Sequence, residues 1–167
     1  MRSIQKYAIL FLVCKKEHYM TKDVIVSISG LQFPGEGEAE TVEVITNGNY
    51  YLKNGKHYII YEELAEGFTG TTRNVVKLQD NCLDITKKGI SNVHMMFEKN
   101  KKNVSYYYTP FGSLLIGIDA NSIRVEETDQ NINVTVDYSL EVNYEHLADC
   151  TIKMNIKSKE AGDFRLQ

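Results

Sequence analysis

From Met20 onward, apolar and polar residues alternate along most of the chain. INVTVDYSLEV at 132–142 is the cleanest case. Ile132, Val134, Val136, Tyr138 and Leu140 fall on one parity, and Asn133, Thr135, Asp137 and Ser139 on the other. CTIKMNIK at 150–157 repeats it with Ile152, Met154 and Ile156, and DVIVSISG at 23–30 with Val24, Val26 and Ile28, Ile25 being the one exception. A period of two marks a half-buried strand, because successive side chains point to opposite faces. Similar runs predict strands at 41–46, on both sides of a turn within 50–63, and at 71–78, 81–89, 93–100, 103–109, 112–119 and 122–127.

The runs are separated by turn chemistry. Asn54-Gly55 predicts a tight hairpin, since a two-residue type I′ turn needs positive φ at both central positions. Asn47-Gly48-Asn49 reads as another turn, Phe33–Glu38 as an acidic loop, and Gly67–Gly70 as a break. No stretch offers a three-turn amphipathic helix; Glu62–Glu66 and Tyr144–Ala148 reach single turns at most. About ten strands with short connections favour antiparallel neighbours. A meander of that length has two raw edges unless it closes. The expected fold is an all-β, antiparallel up-and-down barrel of about eight to ten strands over residues 20–157, followed by a polar tail at 158–167.

Composition agrees with this pattern. Val, Ile, Thr and Tyr together supply 50 of the 167 residues, and Ala and Leu supply 18. Branched and aromatic side chains suit a pleated surface, whereas Ala and Leu favour helices. With 19 basic and 22 acidic residues the net charge is −3, which argues against a nucleic-acid footprint. Residues 1–19 differ from the rest: four basic residues and one acidic surround an apolar run from Tyr7 to Cys14. Eight apolar residues cannot cross a bilayer, which needs about 20, and no A-x-A-like cleavage site follows. The segment is read as a disordered extension upstream of a true start at Met20. A targeting segment and an ordered helix are the alternatives. The body from Met20 onward then stands at −6. Cys14, Cys82 and Cys150 have no metal-ligand spacing and no disulfide framework. Reduced cysteines and a cytoplasmic location are expected, with no membrane partner and no cofactor.

YYLKNGKHYIIYEE at 50–63, followed by YYYTPFGSLLIGI at 106–118, resembles the YwiB-like bacterial family of unknown function. The resemblance covers roughly Met20 to Lys157 and implies a calycin-like, lipocalin-type β-barrel. It implies no activity. Phe111 stands where the resemblance leads one to expect a tyrosine, and Asn100 where it leads one to expect a glycine.

Candidate chemistry is sparse. There is no GxSxG, P-loop, GxGxxG or HExxH, and His18, His57, His94 and His146 are scattered. Period two sets His57, Ile59, Tyr61 and Glu63 on one face. If that face turns inward, an imidazole, a phenol and a carboxylate share one wall, and burial would raise the carboxyl pKa. The blander reading has Tyr61 as core and Glu63 in water. Thr72 and Asn74 share the parity of Val76 and Leu78 and would reach a barrel mouth; a solvent-facing strand end is the alternative. Tyr107 and Thr109 lie opposite Tyr106 and Tyr108, as pocket lining or as cross-strand packing. The expected function is binding of a small amphipathic ligand inside the barrel, at His57, Tyr61, Glu63, Thr72, Asn74, Tyr107 and Thr109. An interaction module with a filled barrel is the second reading. An enzyme using the His57/Tyr61/Glu63 face as acid and base is the third. Nothing in the pattern specifies an oligomeric state.

Overall fold

A computed structural model describes residues 20–30, 43–64 and 67–159. The extension at 1–19, the acidic loop at 33–38 and the tail beyond 159 lie outside the described residues. Ten strands follow in chain order: β1 Asp23–Ser29, β2 Glu43–Lys53, β3 Lys56–Leu64, β4 Thr71–Gln79, β5 Cys82–Lys88, β6 Val93–Glu98, β7 Lys102–Thr109, β8 Gly112–Glu127, β9 Asn131–Val142 and β10 Glu145–Ser158. The described residues contain no helix.

The strands form one antiparallel sheet in the order β6-β5-β4-β3-β2-β1-β10-β9-β8-β7. Every neighbour is consecutive in sequence except β1 and β10, which pair from Val24↔Ser158 to Ser29↔Lys153. The sheet therefore curls into a nearly closed up-and-down barrel, as the alternation predicted. Its seam falls between β6 and β7, the two strands at the ends of the order. Among the described residues isolated backbone contacts hold the seam, one of them the Asn100 N–H donating to the Ala120 carbonyl of β8 at 2.9 Å. Asn92 and Tyr108 exchange backbone hydrogen bonds of 2.9 and 2.8 Å at one end, and Lys101 N–H donates to the Glu98 carbonyl at 3.1 Å at the other.

Alternation fixes which side chains face inward. Val24, Val26, Ile59, Val76, Ile85, Phe97, Ile116, Ile132, Val136, Ile152 and Ile156 are fully buried, and with their neighbours they make one continuous core. Full burial of such a side chain contributes about 1.5–3 kcal/mol. Edge strand β7 contributes least: its residues alternate between half-buried and exposed, and none is fully buried.

Three expectations need correction. Asn47-Gly48-Asn49 is not a turn but the middle of β2, where Gly48 pairs with Val24 on one side and Tyr61 on the other. The glycine is there because the backbones are close: a Cβ would lie 2.9 Å from Val26 Cγ2 and 3.1 Å from the Ile60 carbonyl oxygen. Residues 112–119 and 122–127 are one strand, β8, with a bulge between Ala120 and Ser122. The tail does not begin at Ser158, which is buried, ends β10 and accepts a 3.1 Å hydrogen bond from Thr21 N–H.

Antiparallel order sorts the turns into two rims. The near rim carries the β2–β3, β4–β5, β6–β7 and β8–β9 turns, together with the start of β1 and the end of β10. Asn54 and Gly55 have φ of 53° and 71°, the hairpin geometry expected, and Asn81 and Asn100 are also left-handed at 54° and 60°. The short polar side chain of asparagine tolerates that conformation better than most.

Candidate functional site

Four of the predicted site residues meet toward the far rim. Tyr61 faces Asn74 across β3 and β4, and Glu63 faces Thr72. Directly opposed residues share a face, so all four line the inner wall. Asn74 in turn faces Lys87 of β5. The Lys87 ammonium donates to the Glu63 carboxylate at 3.1 and 3.4 Å, a partly shielded ion pair. Asn74 Nδ2 donates to the Thr72 carbonyl at 3.2 Å. The Asn74 Oδ1 is buried without a hydrogen-bond partner, and the Tyr61 hydroxyl is buried close to the Glu63 carboxylate with no well-formed hydrogen bond to it. Burial, and then the nearby Glu63 charge, push the Tyr61 phenol far above its ordinary range. Lys87 follows Leu83 and Ile85 at period two, so its parity was legible in the sequence.

Tyr107 and Thr109 lie on β7, which pairs with β8 and not with the strands that carry this group. Tyr107 packs half-buried against the core from β7. Thr109 is committed to the β7–β8 turn, where its Oγ1 donates to the Gly112 carbonyl at 2.9 Å and accepts from Phe111 N–H at 3.2 Å.

His57 occupies the opposite end of β3. Six residues separate it from Glu63, about 20 Å of strand. A single acid–base site using both is therefore out of reach. His57 instead stands at a recess of about 350 Å³ in the near rim. Leu78, Ile123 and Val125 supply its apolar surface, and Asp80, Asn81 and Glu127 its polar surface. His57 Nδ1 lies 2.8 Å from the Tyr50 hydroxyl, and its Nε2 lies 3.7 Å from a Glu127 carboxylate oxygen. With the phenol donating to Nδ1, the Nε2–H is turned toward Glu127. Burial, and then the Glu127 charge, raise the Tyr50 pKa.

Tyr50 and Glu127 were missed for different reasons. Tyr50 follows from the hairpin: a two-residue turn at 54–55 makes Lys53 face Lys56, and counting back sets Tyr50 against Ile59. Glu127 was hidden by the bulge. Counting by twos from Ile118 sends it outward, but the shift near Asn121 restores Ile123, Val125 and Glu127 to the inner parity, opposite Val136, Val134 and Ile132.

The model of a domain family of unknown function, DUF1934, matches residues 26–154. The chain belongs to that family. It is similar to the uncharacterized beta-barrel protein YwiB of Bacillus subtilis strain 168, with 26% identity over 119 residues, or 70% of this chain and 82% of the relative. The crystal structure of the B. subtilis ywiB protein superposes with a TM-score of 0.67 at 19% identity, covering 87% of this chain and 99% of that one. At that identity the likeness establishes the β-barrel fold alone. Membership in DUF1934 places the ten-stranded arrangement in a known family without attaching an activity to it.

Proposed function

We propose that this DUF1934 barrel binds a small amphipathic molecule in its near-rim recess. The observation that carries the reading is the recess itself: about 350 Å³ of space at the barrel mouth, with apolar Leu78, Ile123 and Val125 beside the polar His57 and Glu127. That volume falls in the range of small-ligand sites, and the lining is more polar than the predominantly apolar lining usual for them. The deeper interior is occupied by the continuous core, so the ligand sits at the mouth and not along the axis. Tyr50 braces His57 from behind, which holds the imidazole in one orientation before any ligand arrives.

A thermal-shift screen of a small-molecule library on the wild type and on Val125→Trp tests this. The indole would fill the recess from a position 41% exposed. A true ligand at about 100 times its Kd stabilises by about 2.7 kcal/mol, and the variant should lose that shift. Hits that shift both proteins equally would remove the recess from consideration.

A second reading, an interaction module, is favoured by the aromatic outer surface near the far rim. Tyr106 and Tyr108 stack at 6.0 Å, and Phe68 meets Phe111 edge-on at 6.2 Å; all four are exposed. Sedimentation of the wild type and Phe111→Ser would show self-association through this face as a concentration-dependent mass that the variant loses. A wild-type mass constant across concentrations counts against self-association.

A further inference from the structure

We infer that the polar group of the ligand in the near-rim recess is a cation, a protonated amine carried on a short apolar body. This rests on the reading of the recess as a ligand site and adds the chemistry that the site selects.

The argument begins with charge. Asp80 and Glu127 line the recess, and no lysine or arginine does. Four acids elsewhere on the barrel are paired with a lysine or arginine: Glu63 with Lys87, Glu98 with Lys101, Glu141 with Lys102 and Asp137 with Arg124. Among the described residues neither Asp80 nor Glu127 meets a lysine or an arginine. The nearest basic group to Glu127 is His57 Nε2 at 3.7 Å, too long for a strong hydrogen bond. The recess therefore presents two carboxylates with no lysine or arginine in its own lining, while Lys77 and Lys99 stand on the other side of Asp80, in a neighbouring recess.

The walls then say which kind of cation. Among the described residues no group of three or more His, Cys, Asp or Glu is arranged to hold a metal ion. A hard metal ion wants a shell of oxygen ligands. Leu78, Ile123 and Val125 offer it none, but they suit an alkyl or aryl body. An ammonium group on such a body can donate to Glu127 or Asp80 in charge-assisted hydrogen bonds, which are stronger than neutral ones. An anionic ligand of the same shape would meet two like charges there.

Three ligands with one body separate the possibilities: butylamine, butanol and butyrate, titrated by calorimetry into the wild type, Glu127→Gln, Asp80→Asn and Val125→Trp. The expected order places butylamine about tenfold or more tighter than butanol, with butyrate weakest. Glu127→Gln and Asp80→Asn should each weaken butylamine several-fold while leaving butanol unchanged, and Val125→Trp should abolish binding of both. Butanol or butyrate binding as tightly as butylamine would overturn the cation and leave the recess reading standing. Butylamine binding that survives Val125→Trp would place the amine on the acidic exterior and overturn the inference. No binding by any of the three would count against the recess reading as well.

Discussion

Tyr61 buries its hydroxyl inside the barrel wall with no well-formed hydrogen bond, close to the Glu63 carboxylate and to an Asn74 oxygen that has no partner. A sealed, unpaired polar group costs about 1–3 kcal/mol. Tyr61→Phe keeps the ring in the core and removes that cost. The variant should therefore be more stable than the wild type by about 1 kcal/mol, read as a melting temperature about 2–4 °C higher. A lower melting temperature would show that the hydroxyl is engaged. At this scale the sequence was informative about parity and silent about partners. Period two set Tyr61 with Glu63 and Thr72 with Asn74 on shared faces, but left open which faces turn inward. It could not show that Lys87 would neutralise Glu63, because that contact joins residues 24 apart and depends on the order of β3, β4 and β5.

At the scale of elements, β2 is the instructive strand. Its Asn47-Gly48-Asn49 segment has every local mark of a turn, yet it runs straight between β1 and β3. Local propensity yields here to tertiary packing, since the ladders on both sides satisfy the backbone and only a residue without Cβ clears Val26 and Ile60. Gly48→Ala should cost about 1–3 kcal/mol, measured as a lower urea midpoint with an unchanged slope. A midpoint within error of the wild type would show that Val26 yields freely. Strand β8 teaches the converse. Its pattern breaks at the bulge near Asn121, so periodicity divided one long strand into two. The hairpin at Asn54-Gly55 was legible because the two-residue turn fixes its own register, needing no information from elsewhere in the chain.

For the whole molecule, the meander and its closure were readable from the run of strands and short turns. The position of the seam was not. Nothing in the sequence marks β6 and β7 as the pair that fails to form a ladder, since a tight turn joins them as it joins β4 to β5 and β7 to β8. The unpaired edges should show in hydrogen exchange. Backbone amides of β7, which has no fully buried residue, should exchange well before those of β9, which pairs along its length with both β8 and β10. Equal protection in β7 and β9 would mean the seam is zipped in solution.

The pairing of β1 with β10 has a practical consequence. It brings Thr21 to Ser158 at 3.1 Å, so both ends of the described chain are stitched into the wall at the same rim. The seam between β6 and β7, by contrast, reaches that rim at the turn around Asn100, mid-chain. A circular permutant that starts at Lys101 and finishes at Asn100, with a short glycine linker from Lys159 to Met20, would keep every ladder of the cylinder intact.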